Sequence, residues 1–399
     1  MKKILVLCIC LVGIFIKVQG QCSDEILLTT QAEVDAFPQN YGCTNIEGNL
    51  TIGLQTAWNN IYSLDSLYQI ETISGGFGIY ANVVLKDLSG LENLESIGTY
   101  FGMRHCNALI NFTGLDNLNS IGGEANIGLN DSLVNLVGLE NLEYSGGIIL
   151  QYNPFLESLA GLNNLVTLEG LTLFENENLT SASGLSTAIS TTNYFSITEN
   201  DMLTDLSNVE ALEHVEYYFT IDGNDSLSNL SAFKNLSTVG GGVRIHNNQT
   251  LTDISDLNNL TSLEEFALTN NPNLSVCCVV LDFVEEVEGE ITIANNDTTC
   301  NSIEAITGFC TDATVLNDQT LLKLQQTIYP NPNKGTFYLK SNVVPILSIK
   351  IHNSLGQVVF EQKQSRDILQ IDLSQQSKGL YFVSIETLEG ILIEKILVQ

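Results

Sequence analysis

Apolar side chains recur along this 399-residue chain in two alternating rhythms. In short segments they occupy every second position, as in Phe77/Ile79, Leu171/Leu173, Phe219/Ile221 and Val243/Ile245. That alternation predicts a strand with one buried face. On either side of each segment, leucines stand three apart, which suits a single helical or 3₁₀ turn, or a tight bend, pointing inward. Strand and bends make one unit of about 24 residues, L-x-x-L-x-x-[IL]-x-G-x-x-[IL]-x-x-N-x-x-L-x-x-L-x-G, repeated from near Leu50 to near Thr299.

A unit this short cannot bury its apolar face alone and must stack on its neighbours as a solenoid. Its strictest column reads Asn82, Cys106, Asn130, Asn153, Asn176, Asn200, Asn224, Asn248, Asn271 and Asn296, with gaps of 23 to 25 residues. Where the chain turns out of each strand, backbone N–H and C=O groups are withdrawn from water. A carboxamide offers both donors and an acceptor, so the column is expected inside, as a ladder. It also generates N-x-[ST] triplets such as Asn130-Asp131-Ser132 and Asn248-Gln249-Thr250, which an inward asparagine makes unfit for glycosylation. The glycine pairs Gly75-Gly76, Gly146-Gly147 and Gly241-Gly242, just ahead of strands, are expected to take the positive φ of a tight turn. The pattern loosens at 56–60, an insertion, and at 185–193, where apolar positions thin out. Ten or eleven coils at a strand spacing of about 4.8 Å would give a sheet on the order of 50 Å long.

The L-x-x-L…N/C-x-x-L pattern resembles the leucine-rich repeat. The period, the Gly-Gly-x-x-x-Ile segments and the opening Cys22…Cys43-Thr-x-Ile-x-Gly-Asn-Leu-Thr-Ile look closer to receptor L domains. The resemblance runs from about Cys22 to Cys310. It implies a mostly β, right-handed, β-helix-like solenoid, and says little about function because such domains bind very different partners.

The chain opens Met1-Lys2-Lys3, continues with the apolar run Ile4 to Ile16 and reaches Val18-Gln19-Gly20, which reads as a secretory signal peptide over 1–20. The run is too short to span a bilayer, and no later stretch is long and apolar enough. Between Cys22 and Cys310, 38 Asp and Glu stand against four basic residues, a net charge of −34; from Thr311 onward acids and bases balance. So acidic a surface disfavours nucleic acid and anionic lipid as partners.

Cysteines cluster at the ends of the repeat region. Cys22 and Cys43 are expected to pair, and Cys277 and Cys278 to reach Cys300 and Cys310 in either order, as staples over the caps of an exported solenoid. None has CxxC spacing or a nearby histidine, so zinc is not expected. Cys106 stands apart in the asparagine column, as a buried thiol.

After Cys310 the repeat stops. Residues 311–327 read as a linker, and 328–399 carry six short strand-like segments separated by glycine turns, a small β-sandwich. Tyr329-Pro330-Asn331-Pro332, Gly335, Leu355-Gly356-Gln357, Gly379-Leu380-Tyr381 and the terminal Lys395-Ile396-Leu397-Val398 look like the type A C-terminal sorting domain of the bacterial type IX secretion system. The resemblance implies a Bacteroidota-type origin, recognition by the type IX machinery, and delivery to the outer cell surface or the medium.

For chemistry there is little to seize on. The four histidines, His105, His214, His246 and His352, are scattered, and no nucleophile elbow, P-loop or HExxH occurs. Neither catalysis, a cofactor nor a metal is expected. The outward strand positions say more: Tyr80, Arg104, His105, Tyr152, Phe174, Arg244 and His246 fall there. Such side chains stack on sugars or anchor protein partners. The chain therefore reads as an exported, non-catalytic recognition or adhesion protein for a glycan or protein ligand, with a structural spacer of the cell envelope as the alternative.

Overall fold

The computed structural model describes residues 20–185, 189–311, 326–329, 332–341, 346–353, 357–365, 368–387 and 390–399. The described residues fall into two compact units, one ending at Thr307 and the other running from Gly308 to Gln399. The expected signal segment lies outside the description except for Gly20.

The regular structure of the first unit is mostly strand, and its strands pair in parallel. Its main sheet steps through Ile26–Leu28, Leu50–Gly53, Phe77–Tyr80, Phe101–Arg104, Ser120–Gly128, Tyr144–Gln151, Gly170–Phe174, Tyr194–Thr198, Phe219–Asp222, Thr238–His246, Ser262–Thr269 and Ile291–Ala294. That is twelve coils, because the pairing extends to Ile26–Leu28, ahead of the first recognisable repeat. A second line of short parallel pairs, from Gly20–Cys22 and Cys43–Ile46 onward, precedes each main strand. The leucines three apart close either simple turns or 3₁₀ turns such as Asp65–Leu67, Ser207–Val209, Ser231–Phe233 and Ser255–Leu257.

Every coil points its alternate strand residues and its leucines into one continuous core. Each buried Leu, Ile or Phe contributes about 1.5–3 kcal/mol relative to exposure. Phenylalanines add ring contacts between coils: Phe77 stacks on Phe101 at 5.6 Å, and Phe195 and Phe219 meet Phe233 at 5.4 and 4.8 Å. The ends of the stack are covered. At the first coil, the helix Gln31–Asp35, with a Thr30/Glu33 capping box, leads into Phe37–Asn40, which buries Phe37, and Cys22 is bonded to Cys43. At the last, Cys277 is bonded to Cys300 beside the helix Val280–Phe283, and Cys278 and Cys310 are also disulfide-bonded. Cys106 is free and buried.

The glycine pairs differ from expectation, since none of the six takes a positive φ. Their constraint is the neighbouring coil: a Cβ at Gly75 would lie 2.5 Å from the Gly48 carbonyl oxygen, and one at Gly146 2.9 Å from that of Gly122. Glycine is needed there for close approach of backbones. Positive φ is found instead at glycines such as Gly90, Gly114, Gly138 and Gly161, each in the bend before an L-x-x-L. That L-x-x-L segment carries a second asparagine column. Asn93, Asn117, Asn141, Asn164, Asn235 and Asn259 each donate Nδ2 to a carbonyl of the preceding coil at 2.6–2.7 Å.

The second unit holds two antiparallel sheets. Gln326–Tyr329, Thr336–Ser341 and Ile368–Asp372 form one; Val358–Ser365, Ile346–Asn353, Gly379–Thr387 and Gly390–Val398 form the other. Phe337, Leu339 and Ile371 from the first share a single buried cluster with Ile349, Ile351, Val383, Ile385 and Ile396 from the second. The first strand starts at Gln326, two residues inside the segment read as linker.

Candidate ligand-binding face

In the main strands from Phe77–Tyr80 to Ser262–Thr269 the residues five and three before the column asparagine enter the core, as Phe77 and Ile79 do, and those four and two before it face outward. The residue just before the asparagine is different. Ala81, His105, Leu129, Tyr152, Glu175, Glu199, Asn247, Asn270 and Asn295 all have φ between 49° and 59°, and Gly223 has 67°. This left-handed turn is costly for residues with a Cβ. It is held because, from Ala81 to Asn270, each N–H donates to a carbonyl on the next coil, as from Ala81 to Arg104 at 2.9 Å and from Glu199 to Asp222 at 2.8 Å. His105 and Tyr152, expected on the strand face, therefore sit in the turn beyond it.

The column asparagines follow that turn, and Asn82, Asn130, Asn153, Asn176, Asn200, Asn224, Asn248 and Asn271 are fully buried. From Asn130 to Asn271, each backbone N–H donates to the Oδ1 of the next column asparagine at 3.0–3.3 Å. Each Nδ2 returns to a carbonyl of the preceding coil, as from Asn176 to Leu150 at 2.9 Å. Asn296 is partly exposed at the end of the row, where its N–H donates to Asn301 Oδ1 at 3.2 Å. At the other end Asn59 holds the column position, bridged to Asn82 and donating to the Tyr80 carbonyl at 3.2 Å. Cys106 substitutes in part: its thiol reaches the Ile79 carbonyl at 3.7 Å, and its own N–H donates to Asn130 Oδ1 at 3.0 Å.

Asn59 also locates the most distinctive surface of the unit. The strand Leu50–Gly53 ends two positions before the column, and the chain then detours through residues 54–58 before Asn59 resumes it. This loop walls one side of a trough of about 470 Å³ over the first coils. Thr51, Gly53 and Gly78 come from the strands beneath it, Leu54 and Gln55 from the loop, and Asn49, Thr99 and Tyr100 from the bends ahead of the strands. Tyr80 lies flat over Gly78, and the Tyr80 and Tyr100 rings converge over Gly102; a Cβ at either glycine would overlap them. Burial, and then a hydrogen bond with Tyr80, push the Tyr100 phenol well above its ordinary range. Trp58, at the loop's end, is 67% exposed and sets its ring edge-on to His105 at 5.5 Å.

In the C-terminal unit, the turn after Pro332 is fixed by Asn333. Its N–H donates to the Leu397 carbonyl at 2.9 Å, its carbonyl accepts from Gln399 at 2.8 Å, and its Oδ1 accepts from the Gly335 N–H at 2.9 Å. Gly335, at φ 94°, packs against Ser374, and the Tyr381 hydroxyl donates to the Ser377 carbonyl. The motif thus ties its turn to the last strand of the chain. Pro330, Asn331 and Gly356 lie outside the described residues, as do the surroundings of the Tyr329 side chain.

Residues 327–399 match the Secretion system C-terminal sorting domain, and residues 42–156 match the Receptor L domain. The chain carries both modules. No curated protein matches it. The sorting domain is of the type IX kind and directs export to the cell surface or the medium. The L-domain match takes in every residue of the trough, and the same coil geometry continues beyond it to Ile291–Ala294.

Within and beyond the matched L domain, the anticipated face residues separate into three groups. Tyr80 and Arg104 are register partners on adjacent strands, with His105 in the turn after Arg104. Tyr80, expected to be exposed, is only 7% so, because its ring lies on Gly78. Arg104 Nη2 donates to Asn126 Oδ1 at 2.9 Å, which also accepts from Gln151 Nε2 at 2.8 Å. Phe174 is three strands further on and meets Tyr152 edge-on at 5.1 Å. Arg244 and His246 are three more strands away, about 29 Å from Arg104 at 4.8 Å per strand. Arg244 lies 4.4 Å over the Tyr218 ring and pairs with Glu265 at 3.2 Å, and His246 Nδ1 bonds Thr269 Oγ1 at 2.7 Å.

Sequence reasoning passed over Tyr100, Trp58 and Asn59. The signals were present: a tyrosine ahead of a glycine-containing strand, the chain's single tryptophan, and an asparagine displaced by an insertion. Among the described residues, no group of His, Cys, Asp and Glu is placed to hold a metal ion, and no helix is long and apolar enough to cross a membrane.

Proposed function

We propose that this exported protein is a non-catalytic recognition module that binds an extracellular glycan or protein through the outer face of its main sheet. The supporting observation is the trough over the first coils, where an insertion in the repeat builds walls of loop and tyrosine around a glycine-rich floor. Its volume lies within the range of ligand sites. In the same reading the coils wind right-handed, the two C-terminal sheets close on their shared core as a sandwich, and 1–20 is removed as a signal peptide.

Glycan and protein arrays probed with the purified protein test this. Binding is expected, and it weakens in Tyr100→Ala, Arg104→Ala or Tyr152→Ala. An affinity untouched by all three rules out the face. A parallel screen against polysaccharides and peptides is expected to show no turnover, and a reproducible product would overturn the non-catalytic reading.

The alternative, a spacer without a specific ligand, is favoured for the later coils by one observation. Arg244 and His246 are occupied by Tyr218, Glu265 and Thr269.

A further inference from the structure

The trough differs in chemistry from the surface around it. Between Cys22 and Cys310 the chain carries a net −34. Yet no Asp, Glu, Lys, Arg or His lines the trough; its polar side chains are the carboxamides of Asn49 and Gln55 and the hydroxyls of Thr51, Thr99, Tyr80 and Tyr100. An anionic or cationic ligand would find no counter-charge in the lining, since Arg104 and Glu124 act on Tyr100 from outside it with opposite signs, and desolvating an unpaired charge is expensive. An extended peptide would find no strand edge to join, because Leu50–Gly53 is paired on both sides, with Ile26–Leu28 and with Phe77–Tyr80.

The walls are also fixed in advance. Asn49 Oδ1 accepts from the Gly76 N–H at 2.6 Å while its Nδ2 donates to Glu25 Oε1 at 3.0 Å, so its amide plane is set. The tyrosine pair is locked by its own hydrogen bond and by the space that Gly78 and Gly102 leave open. Rigid walls of mixed donors and acceptors suit a rigid polyhydroxylated ligand, which gives up little conformational freedom on binding. An aromatic side wall suits the apolar C–H face of a sugar ring.

Resting on the recognition reading above, we infer that the trough binds a short segment of an uncharged pyranose glycan, with carboxamides and hydroxyls on the sugar hydroxyls and Tyr100 against a ring face. Trp58, the single tryptophan of the chain, stands 67% exposed at the end of the loop that walls the site and outside the trough's lining, so its emission follows the loop, and calorimetry follows binding itself.

The purified protein is titrated, by fluorescence and calorimetry, with neutral hexaoses of the cello-, laminari-, xylo-, malto- and chito- series, and with oligogalacturonate and heparin fragments as anionic probes. At least one neutral series is expected to saturate, and the anionic probes to bind at least ~10-fold more weakly. Gln55→Ala, on an exposed loop, and Thr51→Phe, which fills the floor, are each expected to weaken binding at least ~10-fold, while Lys234→Ala leaves it unchanged. Stronger binding of the anionic probes, or silence from every neutral series, overturns the inference. If an array ligand is lost on Arg104→Ala or Tyr152→Ala but not on Gln55→Ala or Thr51→Phe, the face binds and the trough is not its site. If nothing binds in either experiment, both readings fall.

Discussion

The Oδ1 of Asn176 accepts two hydrogen bonds from Asn153, one from its backbone N–H and one from its Nδ2, each at 3.2 Å. Its own Nδ2 meets the Leu150 carbonyl at 2.9 Å and Asn200 Oδ1 at 3.2 Å, so one side chain satisfies groups on the coils before and after it. Asn176→Ala strands a buried donor and a buried acceptor, each costing about 1–3 kcal/mol. Asn82 offers a contrast, because its buried Oδ1 has no partner while its Nδ2 reaches the Ile52 carbonyl at 3.1 Å. Asn82→Ala should therefore cost less than Asn176→Ala. Chemical denaturation compares the two directly, and equal losses would contradict the ladder.

Cys106 should be chemically silent while the protein is folded. Burial pushes its thiol up to about 12, against a smaller opposing contribution from the Asn82 backbone. A thiol reagent at pH 8 is expected to leave Cys106 unlabelled until denaturant is added, with mass spectrometry as the readout. Cys106→Asn should restore the amide row and raise the thermal midpoint.

The left-handed turn predicts a gain from glycine. Glu175, at φ 49°, bears the steric cost of its Cβ at that position. Glu175→Gly relieves about 1 kcal/mol, less what the freer unfolded chain takes back, so thermal stability should rise. A fall would mean that the Glu175 side chain contributes more than its conformation costs.

His246 should titrate below an ordinary histidine. Burial is the largest cause, with Asp222 pulling the other way and Arg244 adding to the depression. Below the usual histidine value the unfolded chain takes up a proton that the folded one still refuses. The residue's contribution to stability is thus complete above that value and is lost as pH falls toward the lowered one. NMR titration of the imidazole checks the direction, and His246→Gln should flatten this part of the pH–stability curve.

The stack was legible because its signals are periodic. The alternation of Phe77/Ile79 or Val243/Ile245 and the recurring asparagine each report a face that has no choice but to be buried. The left-handed position was not legible, since His, Leu, Tyr, Glu and Ala all occupy it and its geometry is imposed by hydrogen bonds that its N–H donates to the next coil. Gly75 and its relatives were seen but given the wrong cause, because a sequence shows that a side chain is missing and not whether torsion or a neighbour excludes it. Asn59 was hidden by arithmetic: the detour breaks the 24-residue count although the asparagine still arrives in its place. The site residues were the least legible. Tyr80 looked exposed until Gly78 gave its ring somewhere to lie.

The detour after Gly53 leaves the stack and rejoins it at Asn59 with the bond to the Tyr80 carbonyl intact. Its residues therefore owe little to the cohesion of the coils. Loops of other lengths and compositions can be grafted there while the neighbouring turns keep their alignment. A change of wall at that splice leaves the scaffold beneath it as it is.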